Sequence, residues 1–180
     1  MPTHQNPPQV SILGRKPERF FIGQVSGGAP LRFRIEPQGF LPLKRVRIVA
    51  LRECAVKNHR FTVIFKDNAG EALLQFSVLF GVEMIMLNST KNGQWQVNEQ
   101  ISCKDMAGLG FDPIFTLDFL AGSDLIEIKV NGLHVYNFKH RDTFDQANLL
   151  EVSEGMEAIH MVSINDSTQA TAEVLKADDA

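Results

Sequence analysis

The sequence is poor in most of the residues that announce a chemistry. Its 180 residues hold two cysteines, Cys54 and Cys103, one tryptophan, Trp95, and one tyrosine, Tyr136. The cysteines stand far apart with no partner at metal-ligand spacing. A single disulfide is open to them, although free thiols in a reducing compartment are the favoured state. The five histidines, His4, His59, His134, His140 and His160, include no pair at metal spacing, so no metal site is expected. No serine occupies a nucleophile elbow, and Gly108-Leu109-Gly110 reads as a turn, not a phosphate loop.

Long apolar runs are also missing, which excludes insertion into a membrane as a helix. Met1 to Val10 is polar and proline-bearing, without the apolar centre of a secretory signal. Synthesis in the cytosol is therefore expected, with any role outside the cell reached by a leaderless route. The Asn88-Ser89-Thr90 and Asn165-Asp166-Ser167 sequons are then expected to be accidental. The net charge is −3 with no sizeable Lys/Arg block, so nucleic acid is not an expected partner. The densest basic run, Lys44-Arg45-Val46-Arg47, alternates like the outer face of a strand; a solvated face is favoured there over a polyanion patch.

Helical periodicity and internal repeats are absent as well. In their place the chain offers many short runs of strand type between turn residues. These are Phe20-Phe21-Ile22, Leu31 to Ile35, Val46 to Leu51, Arg60 to Phe65, Phe115 to Leu120, Leu125 to Val130, His134 to Phe138 and Ala158 to Ile164. Breakers fall between them at Ser26-Gly27-Gly28-Ala29-Pro30, Pro37-Gln38-Gly39 and Asp67-Asn68-Ala69-Gly70, and Asn131-Gly132 marks a tight hairpin. Such spacing predicts an all-β fold, a two-sheet antiparallel jelly-roll sandwich. A flexible leader over residues 1–19, one domain over 20–165 and a tail over 166–180 are expected.

The central stretch, Leu73 to Gln100, reads as three neighbouring antiparallel strands, with Asn92-Gly93 turning the chain just before Trp95. Alternation would put Gln75, Ser77, Leu79, Met86, Asn88, Trp95 and Gln100 on one face. An exposed indole among amides and a hydroxyl suits a sugar, whose C–H groups stack on the ring while its hydroxyls bond the polar side chains. Two roles stand for Trp95, a stacking surface or a buried core residue. Asn88 is equally a ligand contact or a turn former ahead of Asn92-Gly93. Met86 beside Leu79 makes this face less polar than a sugar groove, which suits a protein contact or a ligand with an apolar portion.

Three stretches resemble the galectins, the β-galactoside-binding lectins. Pro37-Gln38-Gly39-Phe40-Leu41-Pro42-Leu43-Lys44 is similar to their entry segment. Asn88-Ser89-Thr90-Lys91-Asn92-Gly93-Gln94-Trp95 is similar to the segment holding their sugar-site Asn and Trp. Val130-Asn131-Gly132-Leu133-His134 through Phe138-Lys139-His140-Arg141 is similar to a hairpin of the opposite sheet. The resemblance, over roughly residues 30 to 165, implies a carbohydrate groove on a concave sheet, no catalytic activity and no cofactor.

It also exposes departures. The family's groove uses a His-x-Asn-x-Arg run, an Asn on the next strand, and a Trp followed by Glu and Arg. Asn88 and Trp95 match. The His, Asn and Arg positions fall on Gln75, Ser77 and Leu79, and the Glu and Arg positions beyond the Trp fall on Asn98 and Gln100. Hydrogen bonds to charged groups contribute about 1.5–3 kcal/mol each. Losing two would cost about two to four decades of affinity for a β-galactoside. The expected carbohydrate-binding residues are Trp95, Asn88, Gln75, Ser77, Asn98 and Gln100.

Hydrolysis of a glycoside would need two carboxylates across the groove. Glu83 and Glu99 lie on suitable strands, but Glu99 has the opposite parity to Asn98 and Gln100, and Glu151, Glu154 and Glu157 have no partner motif. His140-Arg141 reads as a structural bonding pair at a strand end. Two functions follow: a galectin-like carbohydrate binder with weak or altered β-galactoside specificity, or a protein of that fold acting through protein contacts, with homodimerisation possible.

Overall fold

The computed structural model describes residues 19–21, 30–35, 39–52, 60–103, 114–153 and 156–166. Among them, in chain order, are β1 (Arg19–Phe21), β2 (Leu31–Arg34), β3 (Lys44–Arg52), β4 (Arg60–Lys66), β5 (Ala72–Leu79), β6 (Met84–Asn88) and β7 (Thr90–Lys91). There follow β8 (Gln94–Trp95), β9 (Glu99–Ser102), β10 (Ile114–Ala121), β11 (Leu125–Val130), β12 (Leu133–Lys139), β13 (Leu149–Ser153) and β14 (Met156–Asp166). Single 3₁₀ turns over Phe80–Val82 and Phe144–Gln146 complete the elements.

One six-stranded sheet runs β1-β14-β3-β10-β11-β12 and the other β2-β13-β4-β5-β6-β9, while β7 and β8 form a separate two-stranded ribbon. This is the expected antiparallel sandwich. Alternation decides which side chains go between the sheets: Val46, Ile48 and Ala50 of β3 face Phe61, Val63 and Phe65 of β4 and Leu74, Phe76 and Val78 of β5, all buried. Aromatic edges lock the layers. Phe119 of β10 meets Phe65 at 5.1 Å and Phe76 at 5.4 Å between ring centroids, both in the T-shaped arrangement that ring quadrupoles favour.

Both Asn-Gly pairs form hairpins. Asn92 and Gly93 have φ of 53° and 72°, and Asn131 and Gly132 have 50° and 79°. Positive φ at both central residues matches the twist of the flanking strands, and Asn and Gly tolerate it best. The basic run behaves as its alternation predicts, with Val46 buried and Arg45 and Arg47 pointing outward; Arg47 forms a fork with the buried Asp118 of β10.

Three expectations need correction. β13 was not expected: Leu149-Leu150-Glu151-Val152-Ser153 is a strand between β2 and β4, its Glu151 held by Lys66 at 2.5 Å. The third central strand is two elements, because the chain leaves the sheet for the β7–β8 ribbon and rejoins it at β9. The last strand is longer, Met156–Asp166. The leader through Glu18, the breaker at 26–29, Pro37-Gln38, Cys54, His59, Gly108-Leu109-Gly110 and the tail past Asp166 lie outside the described residues.

Candidate carbohydrate groove

The register of the second sheet lays outward side chains in rows. Ile64, Gln75 and Asn88 form one row; Thr62, Ser77, Met86 and Gln100 form the next; Arg60, Leu79 and Met84 form a third. A groove of about 610 Å³ runs over these rows, walled by Trp95, Gln96 and Asn98 of the ribbon and the segment after it. Trp95 is 55% exposed, so it is not part of the core. Thr90 pairs with Trp95 and Lys91 with Gln94, and the Gln96 N–H donates to the Ser89 carbonyl at 2.9 Å, which seats the ribbon beside β6.

Most polar groups on the groove floor are bonded to one another. The Gln75 Nε2 donates to Ser77 Oγ at 3.1 Å, and that hydroxyl lies 3.1 Å from Thr62 Oγ1. Asn88 Nδ2 donates to Asn98 Oδ1 at 2.7 Å, while Asn88 Oδ1 accepts the Ser89 N–H at 2.8 Å and Arg141 Nη1 at 3.2 Å. Asn88 thus fixes local backbone and lines the groove. What remains for a ligand is the second Asn88 N–H, the Asn98 amide donors, the free valences of Gln75 and Gln96, and the hydroxyls. All of these are neutral. Among the described lining residues the one ionisable side chain is Arg60, directly across the β4–β5 pair from Leu79.

Five of the six expected site residues, Trp95, Asn88, Gln75, Ser77 and Asn98, come together in this groove. Gln100 does not line it. It shares the face of Met86 but sits on β9, the outermost strand, beyond the edge of the cavity. Arg60, Thr62, Ile64 and Gln96 were not anticipated. The first three share one parity on β4, which pairs with β5 through the turn at Asp67-Asn68-Ala69-Gly70, so that hairpin is the signal that could have found them.

Charge is kept behind the groove. Glu99 pairs with Leu87 and so points to the side away from the cavity, where its Oε1 accepts Arg141 Nη2 at 2.5 Å and its Oε2 accepts the Tyr136 hydroxyl at 2.6 Å. That bond to Glu99, more than burial, raises the Tyr136 pKa above its ordinary value. Arg141 therefore ties β12's end, β9 and Asn88 together, with its guanidinium 5.2 Å from the centre of the Phe138 ring. His140 stacks on Phe144 at 5.0 Å, its Nε2 is buried without a hydrogen-bond partner, and burial lowers its pKa.

This geometry can hold a ring of C–H groups against an indole and satisfy hydroxyls with amides; its charged side chains are few and peripheral. The family model described as galactoside-binding lectin matches residues 30–164. Human galectin-4 is 25% identical over 154 residues, which cover 84% of this chain and 42% of that protein. Mouse galectin-6 is 26% identical over 136 residues, covering 74% of this chain and 40% of that protein. The chain thus spans less than half the length of these curated relatives. The fold is similar to the crystal structure of the Caenorhabditis elegans galectin LEC-6, with a TM-score of 0.67, 26% identity, and coverage of 81% of this chain and 95% of that one. It is also similar to sheep galectin-11 in complex with glycerol, with a TM-score of 0.65, 20% identity, and coverage of 78% and 100%. Together with the sandwich, the matched stretch, three-quarters of the chain, makes the protein a member of the galactoside-binding lectin family, the galectins.

Proposed function

We propose that the protein binds saccharides through Trp95 and the neutral floor of the groove, and that plain β-galactosides are weak ligands. The observation that carries this reading is the exposed Trp95 indole over a cavity whose other walls are mostly amides, hydroxyls and short apolar side chains. Stacking on an indole face tolerates many sugars, whereas directional bonds select one. Where the family places an arginine there is Leu79, whose side chain donates nothing. The lining cation is instead Arg60 one strand away, about 5 Å sideways at the backbone, so it would approach a sugar hydroxyl from a different direction. Asn88, the matching amide, spends its oxygen on Ser89 and Arg141.

A second reading has the groove dock a protein. It draws support from Ile64, Leu79 and Met86 in the lining and from Val97, 81% exposed beside Trp95. A glycan array probed with the wild-type protein and Trp95→Ala separates the two. Saccharide binding predicts wild-type spots that vanish in the variant. A blank array for both would leave the docking reading in possession.

A further inference from the structure

The ribbon that carries Trp95 is too short to hold its own shape. It has two residue pairs, Thr90 with Trp95 and Lys91 with Gln94, and an isolated two-stranded hairpin is marginal even at greater length. Its anchor is Glu71, the residue just before β5. Glu71 Oε1 accepts the Gly93 N–H at the hairpin apex at 2.7 Å. Glu71 Oε2 accepts the Thr90 hydroxyl at 2.5 Å, and that hydroxyl oxygen accepts the Ala72 N–H at 2.7 Å.

The carboxylate is itself well placed to act as an anchor. The Glu71 N–H donates to Asp67 Oδ1 at 2.9 Å, and its carbonyl accepts the Asp67 N–H at 3.1 Å, so the turn between β4 and β5 fixes its backbone. Hydrogen bonds to an ionised acceptor are roughly twice as strong as neutral ones, and here one side chain grips two points three residues apart.

We propose that Glu71 is a positioning residue of the groove: by clamping the hairpin apex and the residue opposite Trp95 to the start of β5, it sets where the indole stands. The proposal rests on the reading of Trp95 as a stacking surface, yet it is tested without any ligand. Trp95 is the one tryptophan of the chain, so time-resolved fluorescence anisotropy reports this ribbon alone. In the folded Glu71→Ala variant the amplitude of nanosecond depolarisation should rise about twofold over wild type. Thr90→Val, which removes the Oε2 arm, should give an intermediate rise. Glu71→Gln, which can still accept from Gly93 and donate to Thr90 Oγ1, should stay near wild type. A general loss of stability would lower the melting temperature without loosening the indole in the folded protein. Wild-type depolarisation in Glu71→Ala, or in Thr90→Val if Glu71→Ala does not fold, would overturn the proposal; so would Glu71→Gln as loose as Glu71→Ala. Silence of Trp95 toward every glycan would defeat the saccharide reading and leave this comparison standing.

Discussion

Asn88 and Asn98 face each other across 2.7 Å, the first donating its amide hydrogen to the second's oxygen. Two side chains expected to reach for a ligand thus reach first for one another. In a groove built this way part of the lining is also part of the fold, and Arg141 extends that coupling to the opposite sheet.

Asn88→Ala should therefore cost stability as well as any binding. The variant strips the Ser89 N–H and Arg141 of an acceptor in a site where Asn88 is 9% exposed. Leaving a buried donor unpaired costs about 1–3 kcal/mol, and urea denaturation should show a loss in that range. Asn98→Ala, at an exposed position, should cost distinctly less.

Asp118 and Arg47 give a second test. Asp118 is 2% exposed, and both its oxygens are bonded by Arg47, at 2.7 and 2.9 Å. Arg47→Met leaves a carboxylate buried beside Lys129 across the β10–β11 pair. The expected loss is about 2 kcal/mol, below that for a fully buried pair, because part of Arg47 is in solvent. Adding Asp118→Leu should restore most of that loss in the same denaturation experiment.

His140 predicts a pH dependence. Burial holds its folded pKa below the ordinary 6.5, so below that pH the unfolded chain binds the proton more readily than the folded one. The group thus costs nothing above about pH 6.5 and destabilises increasingly as pH falls toward its folded pKa. Melting temperatures measured between pH 7.5 and 5 should fall, and His140→Phe, which keeps a ring against Phe144, should flatten part of the fall.

The proposed weakness toward β-galactosides can be tested by gain. A triple variant, Gln75→His, Ser77→Asn and Leu79→Arg, restores the family's His-x-Asn-x-Arg run on β5. It should bind lactose at least about tenfold more tightly than wild type by calorimetry. Leu79→Arg alone should gain less, since Arg60 lies directly across from it.

How far the sequence revealed this site depends on the range of each signal. The two Asn-Gly hairpins were legible because positive φ at consecutive residues leaves few choices. Gln75, Ser77, Leu79, Met86 and Asn88 were legible because a period of two assigns faces within a strand. β13 was hidden: it is five residues long and carries Glu151, whose carboxylate is nearly covered and bonded to Lys66. Thr62 and Arg60 were missed although the turn over Asp67 to Gly70 joins β4 to β5 as a hairpin, because the face was drawn only from the strands after that turn. Gln100 has the parity of the groove and sits on β9 beside β6, as the sequence places it, but the cavity ends before that edge strand.

The most direct test of the central claim is titration of the folded protein with lactose and a panel of other glycans, read on the emission of Trp95. The account predicts a saturable shift with at least one glycan, lost in Trp95→Ala, and no response to lactose at micromolar concentration. Saturation by micromolar lactose, or an indole unmoved by every glycan tried, would contradict it.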